Sequence, residues 1–559
     1  MAGNVLPLTM STLPHMPPYG GAFARRFTRY SGLYFDEFAT QSAWLRETAV
    51  IHLPPVADVS CVVLRGEFRV HPQARGLERA FPGLEVLLDG RSVATILPAG
   101  PGPWEARLAL EPGSAQRGSA VTLRLHGTGL TNALAWLGRV TRFGPIQRFR
   151  AQNKNRQVRL LSIQSGTGEP IYDFSRRESP YCADFGRAHL RTGMNVVGFL
   201  TADLGIGESA RCMVRAADAA ALPVALVNLK LNCRNRLGDT TYAGRLEDAN
   251  PYGANVFHID PPVARDIDHH HGAHFRDGKY NIGYFAWELP DFPDSWMSSL
   301  DYFDEIWCPS NFVKESLALK SILPVLTMPH AIGFERPAAS TASVRAQFGL
   351  PASRFLFLCL FDLNSYTARK NPRAVIEAFR MSGLAKANAS LVIKVQNAVL
   401  NPADFEALQE AVRDLPGTVI ISSTLSRAEV YALEAACDCF VSLHRSEGFG
   451  LAVAECMYLG RPVISTDWSA TSEYVNHNNG YPVRFTLATL AETHGPYSKG
   501  STWAEADVGH AAELMQRVAS DPAEAARVGA AARRTIEERF SPAVIGARYR
   551  RRLQTLASL

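Results

Sequence analysis

An α/β chain of two Rossmann-like units behind an all-β module is the architecture this 559-residue sequence predicts. Three observations carry that reading. Between about residues 30 and 140, short apolar runs recur between turn signals. From Met194 onward, strand-like runs alternate with helical stretches. A second such series opens at Arg354-Phe355-Leu356-Phe357-Leu358-Cys359-Leu360.

Composition sets the frame. The length corresponds to roughly three to four domains. Hydrophobic residues make up 47% and charged residues 20%, which marks a globular chain rather than a disordered one. A net charge of +5 is too small to argue for nucleic acid as a partner. The nine cysteines are scattered without metal-ligand spacing and read as reduced thiols of a cytoplasmic protein. The first ten residues have no basic start and Pro7 interrupts their apolar run, so they do not read as a secretory signal. No stretch approaches the roughly 20 apolar residues of a membrane span.

The all-β module is placed at residues 1–140. Its runs include Ala49-Val50-Ile51-His52-Leu53, Ser60-Cys61-Val62-Val63-Leu64, Leu84-Glu85-Val86-Leu87-Leu88 and Val121-Thr122-Leu123-Arg124-Leu125. Asp89-Gly90 and Gly100-Pro101-Gly102-Pro103 supply turns, and the pattern predicts an antiparallel β-sandwich. Trp44 and Trp104 are its candidate carbohydrate contacts, against a structural or oligomerising role. Residues 141–190 are read as a basic linker. From Arg139 to Arg159 the chain carries Arg139, Arg142, Arg148, Arg150, Lys154, Arg156 and Arg159 and no acidic residue. That run is a solvated connector or a peripheral contact with an anionic membrane.

The first α/β unit is placed at 191–338. A strand at Asn195–Leu200 leads into Gly205-Ile206-Gly207-Glu208-Ser209-Ala210, and Val224–Leu229 is the next strand. The glycine spacing has the shape of a dinucleotide fingerprint, but Asn228 stands where an acidic residue would hold a ribose. A nicotinamide site is therefore disfavoured, while a backbone approach to another ligand stays open. His269-His270-His271 reads as a solvated loop, because three consecutive side chains rarely converge on one metal. The second unit spans 339–540 and a basic helix, 541–559, closes the chain; it is free to pack back on the first unit.

Two loops of the second unit carry chemistry. In Asp362-Leu363-Asn364-Ser365-Tyr366-Thr367-Ala368-Arg369-Lys370-Asn371-Pro372, Asn371 is set to cap a helix that starts at Pro372. Arg369 and Lys370 would then oppose the helix dipole, a conflict an anionic ligand would resolve. In Ser446-Glu447-Gly448-Phe449-Gly450-Leu451-Ala452-Val453-Ala454-Glu455, two carboxylates stand eight apart across a Gly-Phe-Gly turn. The loop follows a strand at Cys439–Leu443 and precedes a helix that Gly460 can stop. The amides of 448–451 would cradle phosphate. The spacing alone equally admits a glycine turn before a helix bearing a dipole-favoured glutamate.

With both loops in hand, the chain resembles the GT-B retaining glycosyltransferases of family four, the glycosyl transferases group 1, over about residues 190–559. Glu447-Gly448-Phe449-Gly450-Leu451 through Glu455 matches the E-x7-E signature, and Gly460-Arg461-Pro462-Val463-Ile464 the segment after it. Arg369-Lys370-Asn371-Pro372 matches the basic diphosphate loop. Cys308-Pro309-Ser310-Asn311-Phe312 and Pro329-His330 are similar to the close of the N-terminal domain.

The resemblance implies two Rossmann-like domains facing a cleft and a nucleotide-diphosphate sugar, GDP- or UDP-linked, as donor. Glu447 would hold sugar hydroxyls, Glu455 the ribose, and Arg369 with Lys370 the diphosphate. Gly448, Phe449, Gly450, Leu451 and Ser365 would complete the donor side. Gly205, Gly207, Glu208, Trp287 and Glu288 would face a saccharide or lipid-linked acceptor of bacterial surface polysaccharide synthesis. Neither cofactor nor metal is implied. The chain departs from the family in having Phe361-Asp362-Leu363 for Gly-Arg-Leu, and Trp287-Glu288 near the usual cleft histidine. A nucleotide-sugar epimerase of the same architecture and a non-catalytic carbohydrate-binding scaffold are the alternative readings.

Overall fold

The computed structural model describes residues 30–53, 59–72, 74, 81–111, 119–127, 154–177, 180–182, 191–229, 231, 233, 235–272, 275–276 and 279–557. The chain divides into two compact units between Thr192 and Gly193, with the short segments Ala249–Gly253 and His271–Tyr280 belonging to the first.

The first unit is built on nine strands: β1 (Tyr30–Tyr34), β2 (Ala43–His52), β3 (Cys61–Phe68), β4 (Gly83–Leu88), β5 (Arg91–Ile96), β6 (Gly102–Ala109), β7 (Ala120–His126), β8 (Lys154–Ser165) and β9 (Pro170–Asp173). They form one antiparallel sheet in the order β5-β4-β7-β2-β8-β3-β6, with β1 on β2 and β9 on β8. Alternate residues of β6 are buried, so one face lines the core as the period-2 pattern requires. The expected two-sheet sandwich is corrected here, and with it the expected linker. β8 lies within 141–190, yet it is the strand that stitches β2 to β3. Reading it as linker leaves two separate sheets. Bulges at Trp44/Arg46 and Arg65/Gly66 mark where these pairings bend.

Arg159 shows why its charge misled. It is buried, pairs with Glu67 at 2.8 Å and lies 5.1 Å over the Trp44 ring. Trp44 itself is fully buried and donates to Asp36 at 3.0 Å. Trp104 is buried over Gly66, where a Cβ would sit 2.2 Å from the indole. Neither tryptophan offers a face to carbohydrate. Arg139, Arg142, Arg148 and Arg150 lie outside the described residues.

The second unit holds two parallel sheets. β10 (Arg191–Gly198), β11 (Val224–Asn228), β12 (Tyr252–His258), β13 (Tyr280–Tyr284), β14 (Glu305–Cys308) and β15 (Val325–Thr327) are ordered β11-β10-β12-β13-β14-β15. β16 (Phe355–Asp362), β17 (Ala389–Gln396), β18 (Val419–Ile421), β19 (Cys439–Ser442), β20 (Val463–Thr466) and β21 (Tyr481–Val483) are ordered β18-β17-β16-β19-β20-β21. This is the GT-B pair of Rossmann-like sheets. In each, chain order reverses beside the first strand, and ligands of open α/β sheets bind at such switch points. The reversals fall between β10 and β12 and between β16 and β19.

Packing fixes the second sheet firmly. The helix Pro372–Ser382 buries Val375, Ile376, Ala378 and Phe379 against β16 and β19, each large side chain stabilising by about 1.5–3 kcal/mol. After β21 an antiparallel hairpin, β22 (Phe485–Thr489) with β23 (Thr502–Ala506), is inserted. The closing helix Pro542–Ala557 lies on the helix Gly205–Ala219, so closely that a Cβ at Gly546 would sit 2.1 Å from the Ala216 carbonyl. Tyr549 stacks on Trp307 at 5.4 Å. No helix among the described residues is long and apolar enough to cross a membrane.

Candidate functional site

Both loops singled out in the sequence emerge at the β16/β19 switch point. Arg369 and Lys370 close a four-residue helix, Thr367–Lys370. They also directly precede Asn371, the N-cap of the helix Pro372–Ser382, so two cations stand before a helix start as expected. Asn371 precedes the next helix in the left-handed region at φ +53°, and its side chain makes no capping bond. Asparagine suits that backbone better than most residues, which accounts for its presence.

The cations are instead neutralised by Glu447. Lys370 Nζ bonds Glu447 Oε1, and Arg369 lies 3.3 Å from Oε2. Burial alone would raise the Glu447 carboxyl, but Lys370 and Arg369 hold it down at about 2. Arg369 is 4% exposed and also donates to the Ser446 carbonyl at 3.0 Å. Its Nε is buried with no partner, an unused donor. The amides of Gly448, Phe449, Gly450 and Leu451 likewise find no acceptor among the described residues.

The turn between the carboxylates is fixed by its surroundings. Gly450 has φ +85°, and a Cβ there would meet Thr471 at 2.7 Å. Phe449 is buried among His330, Tyr474 and Phe540, so it holds the loop from beneath. Ser310 caps the helix Asn311–Ala318 and donates to the Gly448 carbonyl at 2.7 Å, tying the first domain to this turn. Gly460, at φ +75°, stops the helix Leu451–Tyr458, donating to Met457 at 2.9 Å.

Glu455 belongs to a different cluster. It is buried and bonded by Arg427, whose Nε is 3.7 Å from Glu208. Burial raises the Glu455 carboxyl, with Arg427 opposing. Arg427 is the first residue of the helix Arg427–Ala436. A cation here also stands against a helix dipole, and two carboxylates answer it. Nearby Glu434 is 1% exposed with both oxygens unpartnered, and burial holds its carboxyl well above the usual range.

The acceptor-side expectations divide. Glu208 does not face open space: Arg211 at 2.8 Å and Arg215 at 2.6 Å hold it, alongside Arg427. Gly207 serves its own loop, since a Cβ would meet the Phe199 carbonyl at 2.6 Å, whereas Gly205 has open space. Asn228 accepts from the Thr201 amide at 3.3 Å and so shapes that loop. Trp287 is buried against Trp296 and Phe292. Glu288 does reach the Arg369–Lys370 loop, 3.8 Å from Arg369, and accepts from Tyr497 at 2.9 Å. Ser365 is half-buried. His269 and His270 are exposed, on the short helix Asp266–His271 and not in a loop. No cluster of metal-ligating side chains occurs among the described residues.

Four residues escaped the sequence reading. Tyr497 and Arg427 sit far along the chain from what they touch. Tyr366 lay inside a loop read for its cations. Asp260 follows β12 at the other switch point; the residue is exposed, yet desolvation by the protein around it, with Glu288 nearby, pushes its carboxyl up to about 6.

Residues 344–535, which span both site loops, match the family model described as "Glycosyl transferases group 1". Over that range the chain is similar to group 1 glycosyltransferases. No curated protein matches the chain. Among solved structures, it is similar to Alr3699/HepE of Anabaena, solved with UDP-glucose, at 14% identity and a TM-score of 0.49 over 66% of this chain and all of that one. A glycosyltransferase from Rickettsia africae gives 13% and 0.48 over 65% of this chain and 99% of its own. Sucrose-phosphate synthase from Thermosynechococcus elongatus gives 15% and 0.48 over 66% and 100%. The paired cations, the unpartnered Arg369 Nε and the four amides without acceptors all lie on the two loops inside that matched range.

Proposed function

We propose that the protein transfers a hexosyl group from a GDP- or UDP-linked sugar to a saccharide acceptor with retention of anomeric configuration. The observation that carries this reading is the meeting of Lys370 and Arg369 on Glu447 beside the amides of 448–451. A diphosphate would take both cations and the amides, and Glu447, released from Lys370, would accept from sugar hydroxyls. The bond from the anomeric carbon to the diphosphate oxygen breaks as the acceptor oxygen bonds on the same face. The acceptor proton passes to the leaving phosphate. With two fixed cations to neutralise the leaving group, the reaction is proposed to need no metal.

The same reading places the enzyme in the cytoplasm, acting on a free or lipid-linked saccharide of bacterial surface polysaccharide; the family resemblance supports this. The test is release of nucleoside diphosphate from UDP- and GDP-hexoses, mannose included, with product anomers read by NMR. Turnover that survives chelation and collapses in Glu447→Gln is expected. An inverted product, or wild-type turnover in Glu447→Gln, would refute the mechanism.

A further inference from the structure

Beside the donor loop lies a cleft of about 1120 Å³. Asp260 and Asn235 line it from the first domain, Asn364 and Tyr366 from the donor loop, and His494 and Trp503 from the inserted hairpin. Glu447, Arg369 and Lys370 are not among its lining residues. The volume exceeds the roughly 300–1,000 Å³ of an ordinary small-ligand pocket.

Tyr366 is the unusual residue in it. Its backbone stands at φ +63°, ψ +106°, which a bulky residue adopts only when its surroundings impose it. The strain is not offset by burial of the ring, which is 40% exposed. The hairpin is shaped around it. Tyr497 meets it edge-on at 5.5 Å, and Gly495 lies so close that a Cβ would be 2.0 Å from the ring. Arg445 ties the hairpin to the donor loop, bonding both Glu505 and the Ala368 carbonyl and lying 4.9 Å over Trp503.

The floor is rich in amides. Asn235, Asn364, Asn371 and Asn401 line the cleft; Asn401 donates to Asn364 at 2.8 Å, and Asn235 to the Asp203 carbonyl at 3.1 Å. Side-chain amides both donate and accept, as sugar hydroxyls do. The lining carries Asp260, Asp404, Glu492 and Glu505 against Arg373 and Arg445, and Arg445 is already engaged by Glu505. A phosphorylated or uronic acid ligand would be repelled.

We propose that this cleft is the acceptor site, that it takes a neutral or amine-bearing saccharide longer than one ring, and that Tyr366 is its stacking platform, held by the hairpin β22–β23. This rests on the glycosyltransferase reading of the donor loop. The full chain, with Tyr366→Phe, Tyr366→Ala and Asp404→Lys variants, is probed on an array of neutral, amino and acidic oligosaccharides. UDP and GDP thermal shifts are measured in parallel. Wild type and Tyr366→Phe are expected to bind neutral or amino saccharides, and Tyr366→Ala to lose signal at least tenfold with unchanged nucleotide shifts. Asp404→Lys should gain signal on acidic glycans.

Binding confined to acidic glycans, no glycan bound, or full binding by Tyr366→Ala would overturn the proposal. So would loss of the nucleotide shift in Tyr366→Ala alone, which would make the ring a nucleobase platform. Absence of any nucleotide shift in wild type would sink the donor reading, while the array still decides the acceptor site.

Discussion

The two parallel sheets of the second unit open at equivalent topological positions, yet their switch points leave opposite chemistry facing out. After β16 and β19 the chain presents Arg369, Lys370 and a run of unpaired amides around one carboxylate. After β10 and β12 it turns its arginines inward. Arg211 and Arg215 are spent on Glu208, while Asp260, and Asn235 from the loop after β11, line the cleft. One side suits a diphosphate and the other suits hydroxyls. The same fold serves both because polarity is set by which side chains the loops bury, not by the sheet.

Three substitutions sharpen that contrast. Arg427→Ala removes the cation shared by Glu455 and Glu208 and leaves both carboxylates buried without it. A destabilisation of about 3–5 kcal/mol is expected in urea unfolding; a loss below about 1 kcal/mol would show that the bridge between the switch points is dispensable. Lys370→Ala acts only on the donor side. It should slow transfer by about 10²–10³-fold while saccharide binding on the array persists. An equal loss of both would mean the two sides are not separable.

The smallest effect concerns pH. The Asp260 carboxyl is raised to about 6 from 3.8. The folded state therefore binds a proton more readily, and this group's contribution to stability is lost as pH rises from about 4 through 6. Glu447, held at about 2 against 4.5, contributes stability above 4.5 that is lost as pH falls towards 2. Asp260→Asn should raise the melting temperature above pH 6 and leave it unchanged near pH 4. An unchanged difference across that range would contradict the assignment.

The two loops proposed to hold the donor could be read from the chain. Glu447, Gly448–Leu451, Arg369 and Lys370 lie in two short loops, each carried by a strand–loop–helix pattern. Their convergence follows once both loops leave adjacent strands. The β module was legible as alternating strands but not as one sheet, because the basic texture around Arg159 resembles a connector. Only burial beside Glu67 and Trp44 shows that its charge is internal.

The acceptor side was poorly legible for a related reason. Glu208 and Glu288 look alike in sequence, as polar residues after strands. One is consumed by Arg211 and Arg215, and the other is presented by Tyr497, 209 residues away. Local pattern determined the α/β class and the glycine turn, since each depends on neighbours in the chain, whereas the pairing of Arg369 and Lys370 with Glu447 joins loops 77 residues apart. Tertiary structure alone decided that Glu455 answers Arg427, that a late hairpin walls the cleft, and that Tyr366 stays exposed in a strained backbone. Those outcomes depend on desolvation and charge balance among residues brought together only when the sheets are closed.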